Sequence, residues 1–171
     1  MIQSNLLYLT PITNDDADIF TEIYTDPNIM EHIGPALNKE SAMKLFNKCL
    51  SQLANEKPKY LFYVITGKQN NNKYGIIGLL WNQPENNSVE LGVMISKAYI
   101  SKGYAYKATE LLMQFVFNEL RLYSIVVICN ESNTAANRTA QALGFIFNGI
   151  MKDKKSNQRK IKWESKGIYI K

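Results

Sequence analysis

The chain has 171 residues, of which 46% are hydrophobic and 20% are charged, and it contains ten Tyr and seven Phe. This balance is typical of a globular protein and excludes a disordered chain, because the apolar content suffices for a core. No apolar run approaches the roughly 20 residues of a membrane-spanning helix, and the first residues lack the basic start and apolar stretch of a signal peptide. We therefore expect a single cytoplasmic domain over residues 1–171.

The net charge of +5 and the pI of about 9.1 are compatible with a polyanionic ligand. The basic residues gather in KDKK at 152–155 and RKIK at 159–162. Nucleic-acid binding would need aromatic side chains between these charges, and Trp163 alone is available, so we interpret the segment as a solvated hairpin. Cys49 and Cys129 are predicted to be buried thiols rather than a disulfide. With His32 as the single histidine, no metal site is expected.

The N-terminal third is predicted to hold one strand and two helices. Thr13 and the acids after it are suited to a helix start, because a side-chain oxygen there accepts from N–H groups that lack intrahelical partners. Asp26 and Pro27 are predicted to end this helix, and Asn38 to cap the next one. The predicted elements are a strand at 6–9, a helix to about residue 24, an irregular stretch to 35 and a helix at 39–53.

The rest of the chain is predicted to be mainly strands, with two helices. Polar turns at 67–73 and 84–87 separate alternating apolar segments, which indicates an antiparallel meander. The β-branched run at 124–129 is typical of a buried strand. Gly144 is predicted as the residue in left-handed conformation that ends a short helix. The predicted elements are strands at 60–66, 74–82 and 89–96, a helix at 105–120, a strand at 124–129, a helix at 134–143 and a hairpin of 145–151 and 161–170.

Gly103 and Ala105 stand where strand 89–96 passes, through a short loop, into the helix at 105–120. The first N–H groups of a helix have no intrahelical partners and the macrodipole makes that end positive, so such a loop can bind a phosphate. The two small residues keep the approach open, and Lys102 adds a positive charge. The spacing fits a pyrophosphate site, although a tight turn between strand and helix uses the same residues. Neither a P-loop nor a dinucleotide fingerprint is present.

The order of elements, the Gly103-Tyr104-Ala105 turn and the segment NTAANRTAQALGF at 133–145 together resemble the GCN5-related N-acetyltransferases over nearly the whole chain. The segments LYLTPITNDDADIFTEIYTDP and VELGVMI are most similar to the RimJ/RimL branch. The resemblance implies an α/β (α+β) fold, with a mixed, mostly antiparallel sheet of about seven strands, about four helices and a splayed parallel pair, 89–96 and 124–129. It also implies acetyl transfer from acetyl-CoA to an amine.

In this family a loop of the form Gln/Arg-x-x-Gly-x-Gly/Ala binds the pyrophosphate of CoA, and here it falls on Ile100, Gly103 and Ala105, with Ile100 departing from the pattern. The preceding strand pairs with the pantetheine arm as an added strand would. Asn133 is implied to bond the cofactor beside the thioester, and Asn137, adjacent to Ala136, can polarise a bond but cannot serve as an ordinary acid. The implied cofactor-binding residues are Val93, Met94, Ile95, Ser101, Lys102, Gly103, Tyr104, Ala105, Tyr106, Asn133 and Asn137.

Glu90 is the candidate catalytic base, because many family members carry an acid at this place and an ammonium must lose a proton before it attacks. Glu90 could alternatively be a structural acid or bind a cationic acceptor directly. The usual donors of a proton to the departing thiolate are replaced by Ala136 and Ala140. A substitute such as Ser96, Ser132 or a nearby Tyr, or departure of the thiolate without a proton, remains open.

The acceptor expected from the resemblance is a peptide N-terminus or a small-molecule amine. The net positive charge mildly disfavours a polycation such as spermidine. A non-catalytic acyl-CoA-binding or sensor module is the alternative function, and a homodimer is left open as a partner. The candidate residues of the acceptor groove are Tyr24, Met30, His32, Trp81 and Trp163.

Overall fold

The computed structural model describes residues 1–81, 87–153 and 156–167. In this part of the chain eight strands form one sheet in the order β1-β2-β3-β4-β5-β6-β8-β7. The strands are β1 Ile2–Gln3, β2 Leu7–Pro11, β3 Tyr60–Gly67, β4 Lys73–Leu80, β5 Ser88–Ile95, β6 Ser124–Asn130, β7 Ile146–Lys152 and β8 Arg159–Lys166. The helices are α1 Ala17–Thr25, α2 Pro27–Met30, α3 Lys39–Gln52, α4 Tyr104–Asn118 and α5 Thr134–Ala142.

The sheet is antiparallel except for the pair β5 and β6. These two strands are in register only from Ser88 opposite Ser124 to Glu90 opposite Val126. Beyond that point β5 continues to Ile95 and β6 to Asn130 without pairing to each other. The predicted mixed sheet with a splayed parallel pair is therefore confirmed.

Side chains alternate between the two faces of the sheet along each strand. Both faces carry apolar side chains, and helices cover both. On one face α1 and α3 pack over a core that includes Phe20, Phe46 and Val64. On the other face α4 contributes Leu112, which is fully buried in the larger core. Among the described residues no helix is long and apolar enough to cross a membrane. The edge strand β7 is exposed along most of its length.

Two short elements were missed by the sequence analysis. The two-residue strand β1 pairs with β2 but is too short to show an alternating pattern. Asp26 and Pro27 do end α1, but the stretch after them is not irregular as predicted: the Asp26 carboxylate accepts from the N–H of Asn28 at 2.7 Å, and Pro27 opens α2. Pro at the first helical position is favourable, since its missing N–H would have had no partner there.

The capping predictions at Asn38 and Gly144 are confirmed. Asn38 accepts from the N–H of Ser41 at 2.8 Å and starts α3, and Gly144 has a φ of 79° after α5. The N–H and the hydroxyl of Thr13 both donate to the carboxylate of Asp16, at 2.7 and 2.9 Å. Parts of three predictions lie outside the described residues: the turn at 84–86 with the end of its preceding strand, the lysines at 154–155 and the last strand beyond 167.

Candidate acyl-CoA site

A cavity of about 770 Å³ opens where β5 and β6 part. Its walls come from β5 beyond Glu90, β6 beyond Val126, the start of α4, α5 and the segment around His32. One edge of β5 beyond Glu90 has no neighbouring strand in the described chain, so its backbone N–H and C=O groups face this opening. An extended ligand with amide groups can bind such an edge in the way a strand does.

The loop into α4 has an unusual backbone at two positions. Gly103 has a φ of 79° and Ser101 a φ of 63°, both in the left-handed region. The first helical hydrogen bond runs from the N–H of Lys107 to the carbonyl of Gly103 at 3.2 Å. The N–H groups at the start of α4 consequently have no intrahelical acceptor, and they carry the positive end of the helix dipole.

Space in front of this helix start is kept open by Gly103. Apart from its two chain neighbours, a Cβ at this position would meet no heavy atom of the described chain within 4 Å. Glycine is required here for its positive φ and not for close packing within the protein. Ser101, Gly103, Tyr104, Ala105 and Tyr106 all line the cavity. The open turn therefore fits an anionic group that approaches from solvent.

Lys102 does not line the cavity. Its ammonium lies 5.1 Å from the ring centre of Tyr99. Tyr104 stacks on Tyr74 with ring centres 4.1 Å apart, which fixes the start of α4 against β4. A hydrogen bond with Tyr74 raises the pKa of Tyr104.

Strand β5 separates two sides of the cavity. Val93 and Ile95 pack toward the core that contains α4, and Met94 packs toward the core of α1 and α3. Alternation places Glu90 and Gly92 on the same face as Met94. The carboxylate of Glu90 is therefore on the side of the strand opposite α4, where an acceptor can approach.

Glu90 is half-buried and lines the cavity. Its register partners are Leu80 on β4 and Val126 on β6. Cys129, across the cleft, has its pKa raised to about 11, mainly by burial and further by the negative charge of Glu90. This thiol remains protonated near neutral pH, so it is a poor nucleophile.

The two asparagines of the second segment have different surroundings. Asn133 caps α5 through its Oδ1, which accepts from the N–H of Ala136 at 3.0 Å, and it also lines the cavity. Asn137 is buried and does not line the cavity. Its Nδ2 donates to the carbonyls of Asn133 at 2.8 Å and Asn130 at 3.0 Å, while its Oδ1 accepts from Trp163 Nε1 at 2.8 Å.

The residues considered as proton donors are arranged as follows. Ala136 and Ala140 both line the cavity, so its α5 wall presents methyl groups at these positions. Ser96 is buried and donates to the carboxylate of Glu22 at 2.5 Å. Ser132 donates to Asn130 Oδ1 at 2.9 Å and lies 3.3 Å from His32 Nδ1.

Five residues were candidates for the acceptor groove, and two of them, Tyr24 and His32, line the cavity. Met30 and Trp163 are buried in the cores, Trp81 is half-buried against the larger core, and none of these three lines the cavity. Sequence reasoning missed Phe62 and Leu80, which line the same side. These two residues could be found only from the pairing of neighbouring strands, in which Phe62 is opposite Gly78 and Leu80 is opposite Glu90. The pattern within one strand does not reveal that pairing.

Comparison with known proteins identifies related chains. Residues 7–146 match the family model of the acetyltransferase (GNAT) domain. The uncharacterized N-acetyltransferase YjdG of Bacillus subtilis (strain 168) is 29% identical over 86 residues, 50% of this chain and 51% of that protein. The uncharacterized N-acetyltransferase p20 of Bacillus licheniformis is 24% identical over 149 residues, 86% of this chain and 83% of that protein.

A solved structure has the same fold. The spermidine N-acetyltransferase from Vibrio cholerae in complex with CoA and spermine has a TM-score of 0.81, at 18% identity over 95% of this chain and 96% of that chain. At this identity the likeness shows the fold alone. The match to the domain model extends from β2 into β7 and includes the splayed strands and the helix start described above. The chain therefore belongs to the GNAT acetyltransferase family.

Proposed function

We propose that this acetyltransferase transfers the acetyl group of acetyl-CoA to a primary amine, by direct attack while both substrates are bound. The acceptor is the amine of a peptide N-terminus, as in the RimJ/RimL branch, or of a small molecule. The observation that carries the proposal is the left-handed turn at Gly103, which opens the start of α4 to the same cavity as the unpaired edge of β5.

The residues at this turn suit the diphosphate of CoA. The N–H groups of Tyr104, Ala105 and Tyr106 are the donors that would hold it, because the helix itself does not use them. The open space at Gly103 admits a phosphate oxygen without a clash. Lys102 adds long-range attraction, although its ammonium is directed to Tyr99.

The edge of β5 at Val93, Met94 and Ile95 is the proposed partner of the pantetheine amides. Asn133 lies at the opposite wall, and its Nδ2 is the proposed donor to the cofactor, since its Oδ1 is used as a helix cap. We do not retain Asn137 as a cofactor ligand. Its amide is saturated by bonds within the protein and supports the turn between β6 and α5.

Glu90 is the proposed base. The acceptor enters as an ammonium ion and must lose one proton before its nitrogen can attack. The nitrogen then forms a bond to the thioester carbon and releases its second proton to water, the carbon–sulfur bond breaks, and the sulfur leaves as a thiolate. Since Ala136 and Ala140 provide no donor, we propose that the thiolate departs without a proton from α5. A thiol pKa near 8.5 makes this departure feasible near neutral pH.

The methyl wall formed by Ala136 and Ala140 also favours a second candidate function, an acyl-CoA-binding sensor that does not turn over. Release of free thiol from acetyl-CoA, measured with and without added amines, separates the two. Amine-dependent thiol release supports the transferase. Tight CoA binding by calorimetry, with no thiol release on any amine, supports the sensor and refutes the transferase.

A further inference from the structure

The acceptor side of the cavity is mostly apolar and aromatic. Phe62, Leu80 and Met94 line it from three neighbouring strands, and Tyr24 and Ile33 line it from the helical layer. Phe20, in the core beneath, links two of these rings, since it lies 4.5 Å from Tyr24 and 6.1 Å from Phe62 by ring centres. Burial raises the pKa of Tyr24, so its hydroxyl adds no negative charge. A ligand here would bury apolar surface against these side chains.

A gap in the sheet surface lies next to Glu90. Gly78 and Gly92 are register partners on β4 and β5. A Cβ at Gly78 would meet the ring of Phe62 at 2.7 Å, so that gap is filled by the ring. A Cβ at Gly92 would meet nothing within 4 Å. Gly92 thus leaves open space between Glu90 and Met94 on the acceptor face, and a substrate body can occupy it.

Charges in the described lining are few. The carboxylates are those of Glu90 and Asp153. Asp153 lies 2.8 Å from the ammonium of Lys160, which lines the same cavity, and both side chains are about three-quarters buried, at 26% and 22% exposure. A second ammonium at this end of the cavity would have to compete with Lys160 for the carboxylate. Without a counter-ion, a buried positive charge is strongly disfavoured.

From these observations, and resting on the proposed function, we infer that the acceptor is a primary amine with a single positive charge and an apolar or aromatic body, and not a polyamine. Its ammonium meets Glu90 and its body occupies the gap at Gly92 against Phe62 and Leu80. The Vibrio cholerae spermidine N-acetyltransferase in complex with CoA and spermine shares the fold, but besides Glu90 the described cavity lining of this chain offers a second cation an ion pair with no net charge. Two classes of acceptor fit this description: a small alkyl or aryl amine, and a peptide that begins with an apolar residue.

The test is a matched panel of acceptors with acetyl-CoA, followed by thiol release. Pentylamine and 1,5-diaminopentane differ only by a terminal ammonium, and phenethylamine, the peptide amide Leu-Ala-Ala and spermidine complete the set. We expect kcat/KM for pentylamine or phenethylamine to exceed that for the diamine and spermidine at least tenfold. Preferred turnover of the peptide would also support the inference and would identify the peptide source. Equal or better use of the diamine or spermidine overturns the inference while leaving the proposed function intact.

Two variants test the charge argument. Lys160→Met keeps the apolar stem but removes the ammonium beside Asp153, and we expect it to raise the diamine-to-monoamine ratio of kcat/KM at least tenfold. Lys162→Met is the control, because Lys162 lies two residues along the same strand and outside the cavity lining. Equal ratios in the two variants overturn the charge argument.

Gly92→Val tests the gap. Because a Cβ at this position meets nothing within 4 Å apart from its chain neighbours, we expect unchanged thermal unfolding and unchanged CoA affinity, with kcat/KM for phenethylamine lowered at least tenfold. Unchanged phenethylamine turnover in this variant overturns the assigned position of the acceptor. Absence of both CoA binding and thiol release in the wild type would instead refute the proposed function itself.

Discussion

Replacement of Gly103 by Asn and by Asp gives a matched pair that isolates charge at the start of α4. Asn and Asp have nearly the same shape, and both tolerate the left-handed conformation better than other non-glycine residues. With a φ of 79° at this position and no heavy atom within 4 Å of an added Cβ, each variant is expected to fold. Any difference between them in CoA affinity then reports the charge of one carboxylate.

The expected magnitude follows from Coulomb's law. An Asp carboxylate here would lie about 5 Å from a phosphate bound at the helix start, which gives a repulsion of about 3 kcal/mol at an effective dielectric constant near 20 and below 1 kcal/mol in water. The turn is partly open to solvent, so we expect about 1–3 kcal/mol, or a CoA dissociation constant roughly 5- to 150-fold weaker for Asp than for Asn. The free energy of unfolding, in contrast, should be higher for the Asp variant than for the Asn variant, because an acid at a helix N-terminus stabilises the helix by about 0.3–1 kcal/mol.

Isothermal titration calorimetry with CoA and thermal unfolding without ligand measure the two effects. The reasoning predicts that Gly103→Asp melts at a temperature equal to or above that of Gly103→Asn and yet binds CoA more weakly. Equal CoA affinities in the two variants, at low ionic strength, would show that the diphosphate does not lie at this helix start.

Three further predictions concern other parts of the site. Glu90→Gln should lower kcat at neutral pH about 100-fold with little change in CoA affinity, as expected for loss of a general base; a kcat and pH profile equal to wild type would refute this role. Asn137→Ala should destabilise the protein by about 2–4 kcal/mol in urea unfolding, because Trp163 Nε1 and two carbonyls lose their partner, and CoA affinity of the folded protein should be unchanged. Cys129 and Cys49, each with its pKa raised to about 11 mainly by burial, should carry about 100-fold less thiolate than an ordinary thiol and alkylate correspondingly slowly at pH 8. CoA should protect Cys129, which lines the cavity, and not Cys49, and equal protection of both would place the ligand elsewhere.

Local patterns in the sequence predicted the turn at Gly103, which lies on the proposed cofactor side of the site. The turn at Gly103 depends on the backbone conformation of a few consecutive residues. A glycine just before a helix indicates a left-handed conformation at that position. The positive φ of Ser101 carried no comparable signal, because serine is common in loops of many conformations. The same limit applies to Asn137. Its position in the motif suggested a contact with the cofactor, but its partner Trp163 is 26 residues away, and only the folded sheet brings the two together.

The acceptor side depends on register, which a single strand does not reveal. Phe62 on β3 pairs with Gly78 on β4, and Gly78 pairs with Gly92 on β5. The ring of Phe62 fills the space above Gly78, whereas the space above Gly92 stays open. A one-residue shift of register would exchange the two faces of a strand. Alternation along β5 still predicted correctly that Val89, Leu91, Val93 and Ile95 share one face and that Met94 lies on the other, because a period of two needs no partner strand.

The parting of β5 and β6 connects these two sides. Had the strands continued in register beyond Glu90 and Val126, hydrogen bonds would have used the edge of β5, and the sheet would have separated α4 from the acceptor face. With the edge open, the proposed ligand arm, paired with β5 and ending near Glu90, would expose its reactive group to the opposite face at the place where Gly92 leaves space. The site therefore depends as much on an absent strand pairing and an absent side chain as on the carboxylate. For that reason we expect substitutions that fill the gap, such as Gly92→Val, to lower kcat/KM for the acceptor at least tenfold even where every polar group is retained.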